Sequence, residues 1–70
     1  MKYAVVIEKA ASNYSAYVPD LPGCIATGAT VEETEQEIRA AIKFHLQGLK
    51  LEGYEIPVPS SCVEYVEVAA

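Results

Sequence analysis

Seventy residues carrying ten acidic and five basic side chains, a formal charge of −5, make one small acidic domain, 1–70, with a thin core. That charge excludes direct nucleic-acid binding, which needs clustered Lys and Arg, whereas Lys2, Lys9, Arg39, Lys43 and Lys50 are scattered. Two cysteines, Cys24 and Cys62, exclude a disulfide framework and match no zinc spacing, so a partner subunit is the expected staple.

The chain opens on Tyr3-Ala4-Val5-Val6-Ile7-Glu8, a first strand that is apolar on both faces. Tyr3, Val5 and Ile7 lie on one side, Ala4 and Val6 on the other. A strand of this kind is normally covered on both sides. The opening carries no signal-peptide pattern and no run long enough to cross a membrane, so a cytoplasmic location is expected. Ala10 to Asn13 reads as a turn, with Ser12 and Asn13 the turn formers. A second strand, Tyr14 to Val18, then pairs antiparallel with the first.

Pro19-Asp20-Leu21-Pro22-Gly23 follows. Each proline fixes its own φ and holds the residue before it extended, so Val18 and Leu21 are constrained and Gly23 supplies the freedom to turn. The result is a short, stiff loop, and Cys24 to Thr27 leaves it as a third strand. Gly28-Ala29 ends that strand.

Thr30-Val31-Glu32-Glu33 fits a capping box, in which Thr30 accepts from the Glu33 amide and Glu33 reaches back. Apolar residues then recur at Val31, Ile38, Ala41, Ile42, His45, Leu46 and Leu49, the rhythm of an amphipathic helix. Glu35 and Arg39 form an i,i+4 pair on the opposite face. Gly53 is a natural stop, so the helix spans Val31 to Glu52. Pro57 and Pro59 keep the next stretch extended. Val63-Glu64-Tyr65-Val66-Glu67-Val68, rich in β-branched and aromatic residues, reads as a last strand.

The order is α+β: β-β-β-α-β, an antiparallel three-stranded meander plus a fourth strand, with one helix packed on one sheet face. The other face, bearing Ala4 and Val6, has no cover in a chain this short. An uncovered apolar sheet face marks an interaction surface, and a homo-oligomer built on it is expected.

Chemistry is hard to find. His45 sits on the apolar stripe with no nucleophile placed beside it, and reads as a packed core histidine. Cys24 and Cys62 read as small buried hydrophobes. Glu8, Asp20 and Glu33 have separate solvated roles rather than forming a metal site. Gly23 and Gly28 make no phosphate-binding pattern. The residues therefore indicate no enzyme, no cofactor and no metal. The rival is a small hydrolase using Asp20, Cys24 or His45.

Tyr14-Ser15-Ala16-Tyr17-Val18-Pro19-Asp20-Leu21-Pro22-Gly23-Cys24 resembles the signature of HicB-type antitoxins. So do Ala26 to Glu33, Ala41 to Leu49, and Glu52-Gly53 followed by Ile56-Pro57-Val58-Pro59. The resemblance spans about Met1 to Pro59. It implies a partial ribonuclease-H-like fold without nuclease activity, and dimers or tetramers built through the sheet. It also implies a partner: a small basic HicA-type toxin that cleaves mRNA and is neutralised on binding. Many members carry a further DNA-binding segment after this domain. No such segment follows the last strand here, so a stand-alone member is expected: a minimal antitoxin or an orphan oligomeric domain without a toxin.

On this reading the partner-facing surface is the loop: Tyr17 and Leu21 as apolar anchors, Asp20 as the charged contact, and Pro19, Pro22 and Gly23 as its frame. The bland alternative is a turn that caps the core with Leu21 tucked inside. Both hold together, because a rigid loop presents a surface at low entropic cost.

Overall fold

The computed structural model describes Met1–Ala70. Three strands, β1 (Val6–Lys9), β2 (Tyr14–Tyr17) and β3 (Ile25–Gly28), precede one helix, α1 (Val31–Leu51). The strands form an antiparallel sheet in the order β1-β2-β3. The meander and the covering helix are therefore as the sequence indicates.

Register follows from the two connections. Ile7 lies opposite Ala16, and Ala16 opposite Ala26, so these three share one face. That face holds the core. Ala16, Val18, Leu21, Cys24 and Ile38 are buried, with Tyr3, Val5, Ala41, Ile42 and Leu46 packed around them. The helix stripe lands where the rhythm of apolar residues puts it from Ile38 to Leu46, but Val31 is exposed at its start, and His45, expected in the core, lies outside it together with Leu49. One close approach ties helix to sheet. A Cβ at Gly28 would meet the Thr34 backbone nitrogen at 2.7 Å, and only glycine admits that contact.

The helix ends are local chemistry. Thr30 is extended, and its Oγ1 accepts from the Glu33 amide at 3.0 Å. The second arm of the expected capping box is not made: no bond returns from the Glu33 carboxylate to the Thr30 amide. Instead the buried Thr34 hydroxyl donates to the Thr30 carbonyl at 2.7 Å. At the other end the Tyr54 amide donates to the Leu49 carbonyl and the Gly53 amide to the Lys50 carbonyl, with Gly53 at φ +74°. That is a Schellman closure.

The expected fourth strand does not form. Residues 62–70 are exposed and pair with no other strand. After the helix, the chain crosses the end of the sheet, where the Tyr3 hydroxyl donates to the Pro57 carbonyl at 2.6 Å. It is held again at Ser60 and Ser61, and then runs off the body. A strand exists only beside a partner edge, and no edge lies along this path. The radius of gyration, 13.7 Å, accordingly exceeds the about 11 Å of a compact domain of this length.

Candidate functional site

The loop between β2 and β3 is two consecutive turns. The Leu21 amide donates to the Val18 carbonyl at 3.1 Å, closing Val18-Pro19-Asp20-Leu21. The Cys24 amide donates to the Leu21 carbonyl at 3.0 Å, closing Leu21-Pro22-Gly23-Cys24. Each has proline at its second position, where a φ near −65° is required. The second also needs a positive φ at its third position, and Gly23 supplies φ +84°. The Val18 amide donates to the Cys24 carbonyl at 3.2 Å and shuts the base of the loop.

This geometry divides the residues expected to act together. Leu21 points inward and is 0% exposed, so it is a core residue and not a surface anchor. The exposed ridge of the loop is Pro19, Pro22 and Gly23. Tyr17 is exposed, but it points to the sheet face away from the helix, in register with Val6 on one side and Ile25 on the other. Val6, Tyr17 and Ile25 thus form a cross-strand row on the uncovered face, adjacent to Ala4. Ile25, 70% exposed, was not singled out from the sequence. Antiparallel pairing closed by the double turn puts it opposite Tyr17, so the loop length carried the signal.

Asp20 is also not the free charge expected. Its carboxylate accepts four hydrogen bonds, from the amides and hydroxyls of Ser60 and Ser61, at 2.8–3.1 Å. The Ser61 amide, then the Ser60 amide, then the Ser61 hydroxyl hold the carboxyl at a pKa of about 2, below its ordinary 3.8. The two serines were likewise missed. Forty residues separate Ser60 from Asp20, and no local pattern announces such a bond.

The other candidates are dispersed. Cys24 is buried and desolvation pushes its thiol pKa up, the reverse of an activated nucleophile. Cys62, expected to be buried, is exposed on the C-terminal stretch. It lies on the segment that found no sheet edge. His45 is half-buried toward the end of α1, outside the core cluster. It borders a shallow groove with Phe44, Leu49 and Tyr54, and Phe44 is 79% exposed. No group of three or more His, Cys, Asp or Glu side chains is gathered as a metal site would require. No helix is long and apolar enough to cross a membrane. The arrangement provides surfaces for contact: an apolar row on an open sheet face, and a stiff proline ridge at its end.

Comparison with known proteins gives these surfaces a context. A family model described as "HicB_like antitoxin of bacterial toxin-antitoxin system" matches residues 3–69. The UPF0150 protein Ta0767 of Thermoplasma acidophilum is 40% identical over 58 residues, 81% of this chain and 84% of that protein. An uncharacterized 14.9 kDa protein from the rep-hol intergenic region of Haemophilus phage HP1 is 35% identical over 66 residues. That match takes in 94% of this chain and 50% of the phage protein, so the chain spans half the length of this relative. Among solved structures, a chain of a HicA3 and HicB3 toxin-antitoxin complex matches with a TM-score of 0.73 at 28% identity. The match covers 84% of this chain and 70% of that one.

Proposed function

Because the chain belongs to the HicB-like antitoxin family of bacterial toxin-antitoxin systems, we propose that it binds and neutralises a small basic HicA-type toxin that cleaves mRNA. Antitoxins of this family are non-catalytic, and the chain acts by occupying its partner. The observation that carries the reading is the likeness to a chain solved within a toxin-antitoxin complex, over most of this fold. The formal charge of −5 supports it, since opposite net charge speeds encounter with a basic partner.

The partner-facing surface is the exposed ridge Pro19, Pro22 and Gly23. Leu21 and Asp20 serve from behind, the first by filling the core under the loop, the second by holding the chain at Ser60 and Ser61. The copies associate with one another through the open sheet face, with Ala4 and Val6 in the contact and Tyr17 and Ile25 completing the row. The complex works in the cytoplasm, where its mRNA-cutting partner meets its substrate. The 1–70 domain binds no cofactor and no nucleic acid directly.

Co-expression with the product of an adjacent small basic reading frame tests this. The expected result is a co-purifying complex and relief of that product's growth inhibition. Absence of both overturns the antitoxin reading and leaves an orphan oligomeric domain.

A further inference from the structure

Helix α1 packs mainly on β3 and β2 and touches β1 least. The gap this leaves is a groove of about 530 Å³ between the helix and the N-terminal stretch that runs into β1. Met1, Tyr3, Val5, Ile7, Ile38 and Ile42 are its apolar lining, and Ile38 is buried at the bottom. The charged residues that line it are Lys2, Arg39 and Glu35. Glu35 is already engaged, its carboxylate accepting from the Arg39 guanidinium at 3.0 Å. That bond uses one of the five guanidinium donors. The Lys2 ammonium makes no ion pair, and the Tyr3 hydroxyl is engaged with the Pro57 carbonyl. In a chain of formal charge −5, this groove is therefore locally cationic, with donors to spare and its one carboxylate satisfied.

We propose that the groove binds a small anionic amphiphile, an apolar chain carrying a single carboxylate, with the tail along Val5, Ile7, Ile38 and Ile42 and the carboxylate at Lys2 and Arg39. Binding here is independent of the toxin contact proposed above. Sites for small molecules are mostly apolar, carry a few placed polar groups and span about 300–1,000 Å³, and this groove has all three properties. Tyr3, Val5, Ile7 and Ile42 are only half-buried and still face water across it, so a tail laid on them removes apolar surface from solvent on both sides. The head group follows from charge. A carboxylate is ionised at neutral pH and accepts charge-assisted bonds from a guanidinium fork and an ammonium. The bond to Glu35 orients the Arg39 guanidinium for that contact. A cationic head group is repelled by Lys2 and Arg39, and a neutral one gains tail burial alone.

Octanoate is the probe, titrated below its micelle concentration into the full ¹⁵N-labelled chain and followed by amide shifts. Saturable shifts centred on Tyr3, Val5, Ile7, Ile38 and Ile42 are expected. Octanol, the same tail without the charge, is expected to bind about tenfold more weakly, and acetate, the charge without the tail, not at all. Arg39→Gln, on the exposed face of the helix, is expected to bring octanoate down toward the octanol level, leave octanol unchanged and keep the helical circular dichroism. Lys2→Gln, outside every strand and helix, repeats the test should Arg39→Gln disturb the helix. Equal binding of octanoate and octanol, or octanoate binding unmoved by both variants, overturns the carboxylate site. Shifts centred on Val6, Tyr17 and Ile25, or on Phe44 and Tyr54, put the ligand on another surface and overturn it too. So does the absence of saturation, including the case in which intermolecular NOEs show a second copy filling the groove.

Discussion

Leu21 and Asp20 are neighbours with opposite duties. Leu21 is enclosed beneath the double turn, so Leu21→Ala removes buried side chain and leaves a cavity. The expected cost is about 2–5 kcal/mol, read by urea denaturation. Asp20 works through charge. Its folded pKa, about 2, is below the unfolded 3.8, so the unfolded chain binds more protons in that interval. The stabilisation is present above 3.8 and is lost as pH falls through that interval toward about 2. The Ser60 and Ser61 amide resonances are expected to shift with that midpoint, and Asp20→Ala to leave both amides unprotected in hydrogen exchange at neutral pH. Residues set by local rules were legible in the sequence: Pro19, Pro22 and Gly23 dictate two turns by themselves. The partner of Asp20 was not, because a bond across forty residues depends on where the whole chain goes after the helix.

At the scale of elements, caps decide more than propensity does. Thr30→Ala deletes the acceptor for the Glu33 amide and is expected to cost about 1 kcal/mol. Gly28→Ala forces a Cβ against the Thr34 backbone, where neither the strand end nor the first helical turn has freedom to yield. The expected loss is roughly 1–3 kcal/mol, and both variants are read as a lowered thermal midpoint. The helix was legible to within one residue because Thr30 and Gly53 mark its ends chemically. The first strand was legible in kind but not in extent. Tyr3 and Val5 are apolar and pack on the core, yet pairing begins only at Val6, where β2 comes alongside. The last strand failed for the same reason in stronger form. Val63 to Val68 has the composition, but composition cannot supply a neighbouring edge.

At the scale of the molecule, one sheet face is covered and the other is not. The row Val6–Tyr17–Ile25 crosses all three strands on the open face. Ile25→Glu places a charge at the β3 end of that row without touching the core. Light scattering is expected to show weakened self-association, with the folded circular dichroism unchanged. The uncovered face was legible, since alternation in the first strand requires a second cover. The membership of the row was not, because it depends on the register that the double turn imposes.

That double turn also has a bearing on how the chain reaches its fold. β1 pairs with β2, β2 with β3, and α1 packs back on β3 and β2, so each element meets one made shortly before it. Contacts between sequence neighbours favour rapid folding. The Val18–Cys24 closure is the natural place for the first long-lived structure, because its prolines and Gly23 narrow the search before any strand has paired. Gly23→Ala, which puts a Cβ at φ +84°, is then expected to slow refolding more than it speeds unfolding. A chevron plot in which only the unfolding limb moves would place the closure after the rate-limiting step instead.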